Sequence, residues 1–197
     1  MVVIQGAGTM GLCAIGAVRS FTNAGTIIAA AKYPLQKTLA SELGADLVVE
    51  PKELKRAVRS VTGCRMIGNS LSGGADVTID AVGNAGSITA SLDITRPRGR
   101  IVMMGIPGTI TIDLTSLWHR EIEIVGSYTY GTEVLDDGSV RTSYDLAFDL
   151  VREKQLDRLV SATYPLDRYK DAIRHAAEAG PKGAIKVVFD MRNEKRR

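Results

Sequence analysis

The chain has 197 residues, 45% hydrophobic and 24% charged, with a formal net charge of +3; this is enough to bury one sizeable core at an ordinary globular composition. The cations are dispersed apart from a tail of Arg192, Lys195, Arg196 and Arg197, so no nucleic-acid partner is expected, and residues 191–197 read as a disordered basic tail. No apolar run approaches the roughly 20 residues of a membrane span, and the start lacks the basic flank and length of a signal peptide, which predicts a cytoplasmic protein without a membrane partner.

The chain opens MVVIQGAGTMG. Residues 2–5 are apolar enough for a buried strand, and residues 11–21 repeat at helical period with Leu12, Ile15 and Val18 inward. Gly25 marks that helix's end, and residues 26–31 form a second strand. Pro34 suits a first helical turn, residues 35–43 a helix, and Gly44 its stop. Residues 47–49 are a third strand, and Pro51 opens a helix reaching residue 61.

The cycle then repeats with a strand at 76–81, a helix at 86–94 and a strand at 100–104. An alternating edge strand at 109–113, a helical turn at 114–119 and a sixth strand at 121–126 follow. Residues 128–141, rich in Gly, Asp, Tyr and Thr, read as a loop over the carboxyl edge of the sheet. Helices are expected at 143–154 and 167–179, the second capped by Asp167, and a last strand at 184–189. Strands alternating with helices and carrying near-continuous apolar runs predict the α/β class. The expected architecture is a Rossmann-type, doubly wound parallel sheet of about six strands, covered on both faces.

Gly6-x-Gly8-x-x-Gly11 follows a strand and opens a helix. In that context the first glycine permits the turn, the second admits a pyrophosphate, and the third lets helix and strand pack closely. The backbone N–H groups of Thr9, Met10 and Gly11 would then face the ligand at the positive end of the helix. An S-adenosylmethionine site would want an acid at or before the loop, where Gln5 stands, and a Walker A loop would want Gly-Lys-Ser/Thr. A dinucleotide fits best. The acid that grips the ribose hydroxyls, about 20 residues on, is replaced by Ala31, with Lys32 and Tyr33 next. Ala31 leaves room for a 2′-phosphate, Lys32 offers it a cation, and Tyr33 could cover the adenine. The cofactor expected is NADP, with NAD the alternative.

Cys13 and Cys64 lie far apart with no Cys-x-x-Cys, and His119 and His175 have no neighbour at ligand spacing. No metal site is expected in this chain, and both thiols are expected reduced.

Taken in order, GAGTMG (6–11), LASELGAD (39–46), DVTIDAVG (76–83), RPRGRIVMMGIPG (96–108), LWHREIEIVGSY (117–128), and YPLDRYKDAI with GAIKVVF (164–189) resemble a known family. They are similar to the coenzyme-binding, C-terminal part of zinc-containing alcohol dehydrogenases of the medium-chain dehydrogenase/reductase superfamily. The likeness fails only in the 130–141 loop and the tail. It implies a preceding GroES-like catalytic domain that carries the zinc and most of the proton relay. On that reading these residues are a fragment, or follow a mis-assigned start, and no catalytic residue is expected among them.

The resemblance assigns Gly6, Gly8, Thr9, Met10 and Gly11 to the pyrophosphate, and Ala31 and Lys32 to the ribose. It puts Ala81, Val82 and Gly83 on the adenosine side towards the nicotinamide ribose, and Gly105, Ile106, Ser127 and Tyr128 at the nicotinamide. It implies an oxidoreductase exchanging hydride between an alcohol or carbonyl substrate and the nicotinamide, inactive as this chain alone. The departure at Ala31 sets the chain apart from the family's usual NAD preference. The expected organisation is a dinucleotide-binding domain over 1–142, a segment over 143–190 returning to the catalytic domain, and the tail. The resemblance also implies a homodimer through edge strand 109–113. A quinone or enoyl reductase of the same superfamily and a non-catalytic dinucleotide sensor are the alternatives.

Overall fold

Parallel strands covered on both faces need apolar side chains at consecutive positions. Val3, Ile4, Ile27, Ile28, Ala29 and Ala30 supply them, each at most 2% exposed. The computed structural model describes residues 1–68, 70–135 and 137–192; most of the expected basic tail, residues 193–197, lies outside them. The first half runs β1 (Val2–Gln5), α1 (Thr9–Phe21), β2 (Ile27–Ala30), α2 (Pro34–Glu42), β3 (Leu47–Val49), a 3-10 turn (Pro51–Glu53) and α3 (Leu54–Thr62). A small ribbon of β4 (Met66–Ile67) and β5 (Ser70–Leu71) leads to β6 (Ala75–Asp80), α4 (Ala85–Ile94), β7 (Thr95–Met103), α5 (Thr115–His119) and β8 (Glu123–Gly126).

The six main strands line up β3-β2-β1-β6-β7-β8, and their pairings are parallel. The chain winds outward from β1 in one direction, then returns to the other side of β1 and winds the opposite way. This is the doubly wound, Rossmann-type order, whose ligand crevice opens between β1 and β6. Side-chain alternation divides the core by face. Ile4, Ile27 and Ala29 pack with Leu12, Ile15, Leu39 and Leu43 of the α1–α2 side. Val3, Ile28 and Ala30 pack with Leu54 and Val58 of α3 and with Ile94 on the other face. Leu12, Ile15 and Val18 are buried as their spacing predicts.

Four details correct the sequence reading. Residues 109–113 form no strand and pair with none among the described residues, although Ile110 and Ile112 stay half-buried between exposed neighbours. The strand expected at 100–104 begins earlier, at Thr95, because a register shift absorbs Pro97, which has no N–H to donate. The expected loop over 128–141 contains an antiparallel hairpin, β9 (Thr132–Val134) and β10 (Val140–Thr142), whose turn uses Gly138 at φ +80°. Asp167 caps no helix; it lies in a 3-10 turn (Leu166–Arg168) that precedes α7 (Tyr169–Ala177).

The remaining elements are α6 (Ser143–Lys154), a 3-10 turn (Leu156–Leu159), β11 (Val160–Tyr164) and β12 (Lys186–Phe189). β11 carries no clear sequence signal; it pairs in parallel with β12, which therefore has a neighbour. The Thr142 hydroxyl caps α6 by accepting the Asp145 N–H. Leu150, Leu156, Leu159 and Ile185 join the same apolar cluster as α1. Helix α6 approaches α1 at Gly16, where a Cβ would already touch Leu150 Cδ1 at 3.7 Å. Leu150 is only 7% exposed, so Leu150→Ala removes a buried isobutyl group between two helices. It should lower unfolding free energy by about 3 kcal/mol in urea titrations, and a loss below about 1 kcal/mol would contradict this packing.

Candidate dinucleotide site

The loops singled out from sequence follow β1, β2, β6, β7 and β8 and lie at the carboxyl ends of those strands, flanking the crevice. Gly6 sits at φ +89°, a conformation that side chains disfavour, and a Cβ there would stand 2.6 Å from Val82 Cγ2. A Cβ on Gly11 would collide with the Gly6 carbonyl. Folding therefore demands glycine at both positions. Gly8 is different: its φ of −75° is ordinary, and nothing lies within 4 Å of where its Cβ would be. The fold leaves Gly8 facing open space, a cradle that a side chain would fill.

Helix α1 starts at that cradle. Its first capped N–H is that of Leu12, donated to the Gly8 carbonyl at 2.9 Å. The amides of Thr9, Met10 and Gly11 thus form its positive end, and no acidic side chain occupies the first turn. The Thr9 hydroxyl donates to the Ile185 carbonyl at 3.0 Å and ties the loop to the segment before β12. Burial pushes the Cys13 thiol up, with Lys186 opposing, so this residue beside the loop stays a neutral thiol at physiological pH.

At the end of β2, the Ala31 methyl is 1% exposed and packs in the core. Lys32 is exposed, with its Nζ 5.5 Å from the centre of the Tyr33 ring. Gln36 Oε1 accepts the N–H groups of Lys32 and Tyr33 at 3.3 and 3.4 Å, which fixes the backbone of this corner. The Tyr33 ring lies against Gly180, where any side chain would strike it.

The loops after β6 and β7 meet each other and the glycine loop. Ala81 Cβ and Val82 Cγ2 approach Gly11 and Gly6, and the backbones of Gly83 and Gly105 cross in contact. Ser127 N–H donates to the Met103 carbonyl at 2.9 Å, continuing the ladder past β8. Ile106 and Tyr128 are 94% and 93% exposed, so both lie open at this edge. Loops 6–11, 81–83 and 105 are thus in mutual contact, and Ser127 is joined to them through β7.

Sequence reasoning passed over Asp80, Gln5 and Ser87. Asp80 is 0% exposed, and its Oδ1 accepts the N–H groups of Val82 and Gly83 at 2.9 and 3.0 Å. Its Oδ2 accepts the Ser87 hydroxyl at 2.8 Å, and Gln5 Nε2 donates to the Ser87 carbonyl at 2.8 Å. The available signal was a carboxylate closing an otherwise apolar strand in TIDAVG. His119 Nδ1 meets the Thr115 carbonyl at 2.8 Å and His175 Nδ1 the Tyr164 hydroxyl at 3.0 Å, both away from these loops in structural contacts. Among the described residues, both cysteines are free, and no three His, Cys, Asp or Glu side chains gather to hold a metal ion.

Comparison with known proteins agrees with this geometry. The family model described as "Zinc-binding dehydrogenase" matches residues 9–143. Sorbitol dehydrogenase of Bacillus subtilis is 27% identical over 187 residues, covering 90% of this chain and 46% of that protein. The L-idonate 5-dehydrogenase (NAD(P)(+)) of Escherichia coli is 26% identical over 189 residues, covering 95% of this chain and 50% of its own length. A crystal structure of an Escherichia coli L-idonate 5-dehydrogenase superposes with a TM-score of 0.72 at 26% identity, over 95% of this chain and 49% of that one. The chain thus spans about half the length of the curated relatives it matches. With the glycine cradle, the strand order and the family model in agreement, the chain belongs to the zinc-binding dehydrogenases, as their coenzyme-binding, C-terminal part.

Proposed function

We propose that these residues bind NADP at the carboxyl edge of the sheet and serve an oxidoreductase acting on a CH–OH group of a polyol or a related sugar acid. The observation that carries the reading is Gly8, a glycine the fold does not require, facing open space at the positive end of α1. The sorbitol and idonate dehydrogenase relatives support the substrate class. The residues present fit a dinucleotide. Gly6, Gly8, Thr9, Met10 and Gly11 offer amides and space to the pyrophosphate, and Lys32 offers a cation beside the ribose. Residues 81–83 would line the adenosine side towards the nicotinamide ribose, and Gly105, Ile106, Ser127 and Tyr128 would hold the nicotinamide end. When bound, the nicotinamide supplies hydride exchange with the carbinol carbon. This chain's residues contribute orientation, which raises the rate when both reactants are held together. The exposed Val160 and Phe189 of the β11–β12 sheet support reading residues 143–190 as the segment that would turn towards a GroES-like domain.

The cofactor choice rests on Lys32, exposed at the end of β2, since the Ala31 methyl is buried in the core and offers no acid to the ribose. A lysine ammonium near the 2′-phosphate should favour NADPH over NADH by roughly tenfold, less at high salt. Lys32→Ala should lower NADPH affinity and leave NADH nearly unchanged. Lys32→Glu, at the same exposed position, should reverse the preference by repelling the phosphate. Fluorescence titrations of all three proteins with both coenzymes check this, and a parent chain that prefers NADH contradicts it.

Residues 109–113 support pairing with a second copy. They have no strand partner among the described residues, and Ile106, Leu114 and Trp118 beside them are 94%, 48% and 80% exposed. A homodimer is expected by light scattering, with Ile112→Lys shifting it to monomer; a monomeric parent chain at high concentration would contradict the pairing.

A further inference from the structure

The loops after β6 and β7 offer a surface to the coenzyme, but two irregular loops keep one relative geometry only if something holds them. We propose that Asp80 is the positioning residue of the nicotinamide side, fixing residues 81–83 against 104–105 at the switch point. The proposal rests on the dinucleotide reading above.

Asp80 closes β6 with Gln5 of β1 on one side and Met103 of β7 on the other. Its carboxylate is out of contact with water, where an unsatisfied charge is costly and several donors are needed to hold it. It has three: the Val82 and Gly83 amides on Oδ1 and the Ser87 hydroxyl on Oδ2. Its own carbonyl accepts the N–H groups of Met104 and Gly105 at 2.9 and 2.7 Å. One residue therefore holds both loops, one by its side chain and the other by its backbone.

The geometry so fixed leaves little tolerance. Gly83 sits at φ +76°, and a Cβ on it would stand 2.7 Å from the Gly105 carbonyl carbon. A Cβ on Gly105 would stand 2.5 Å from Gly83 N. Two backbones cross here with only hydrogen atoms between them. Without the carboxylate, the Val82 and Gly83 amides have no partner at Oδ1, and the loop's one direction of relaxation is outward. Ser87 is anchored in turn by Gln5 Nε2 and lies in the first turn of α4, whose positive end favours the negative charge. The cluster thus joins β1, β6 and α4 beneath the place assigned to the nicotinamide ribose.

A purely structural role would affect all ligands alike, whereas a positioning role acts most on the nicotinamide side, where residues 81–83 meet 104–105. ADP carries the adenosine and pyrophosphate but lacks the second ribose, so it reports on the glycine loop. The test titrates the parent chain, Asp80→Ala and Asp80→Asn with NADPH by nicotinamide fluorescence and with ADP by calorimetry. Asp80→Ala should bind NADPH about tenfold more weakly, with a loss of fluorescence enhancement, while ADP affinity stays within about twofold. Asp80→Asn, whose Oδ1 still accepts both amides, should restore NADPH affinity to within about threefold. Should Asp80→Ala fail to fold, Ser87→Ala serves: it leaves the carboxylate in place with one donor fewer, and NADPH should weaken about threefold at unchanged ADP affinity. Unchanged NADPH affinity in the variant tested, or equal losses of ADP and NADPH, would overturn the role of Asp80 alone. A parent chain that binds neither ligand would overturn the dinucleotide reading and this inference together.

Discussion

Helix α1 begins so close to the end of β1 that no atom larger than hydrogen fits between Gly11 and the Gly6 carbonyl. From this contact the rest of the site follows. It brings the first turn of α1 against the sheet edge, so that its amides and their partial positive charge lie at the mouth of the crevice. It forces the turn at Gly6 into the left-handed region and presses that turn on Val82, which couples the glycine loop to the loop after β6. Any side chain at position 11 would tilt the helix away and open the cradle beside Gly8.

The second constraint is polar. Parallel strands leave the crevice between β1 and β6 lined by strand ends, and irregular backbone there needs hydrogen-bond partners. Asp80 and Gln5 supply them from within the sheet, at neighbouring positions of adjacent strands. The segment after residue 142 adds a third support. It covers α1 with Leu150 and Leu159, holds Thr9 through the Ile185 carbonyl, and seats Tyr33 on Gly180. The loops at the carboxyl edge are thus braced from beneath and from behind, the form of preorganisation that binding of the proposed coenzyme would reward.

Much of the fold was legible because buried parallel strands carry unbroken apolar runs, as in Val2–Gln5, and because Pro34, Gly44 and Pro51 punctuate the helices. Legibility failed where pairing, not composition, decides. Residues 109–113 alternate like a strand but pair with no strand among the described residues. The hairpin at Thr132–Val134 was hidden by turn-rich composition, and Val160–Tyr164 is half-exposed with one neighbour only. At the site, the glycine spacing was readable because Gly6 and Gly11 answer local steric demands and Gly8 leaves open space between them. Asp80 was not, since its hydrogen-bond cluster depends on Ser87 and Gln5 arriving from other elements. The seating of Tyr33 on Gly180 joins residues distant in sequence, and no local pattern reports it.

The central claim is that the carboxyl-edge loops form one dinucleotide site. Backbone amide resonances recorded while NADPH is added test it residue by residue. Saturable shifts are expected at Thr9, Met10, Gly11, Lys32, Val82, Gly83, Ile106 and Ser127 and at the Thr9-linked Ile185 just before β12, with β11 and β12 themselves unmoved. Shifts confined to other surfaces, or none at the Gly6–Gly11 loop at saturating coenzyme, would contradict it.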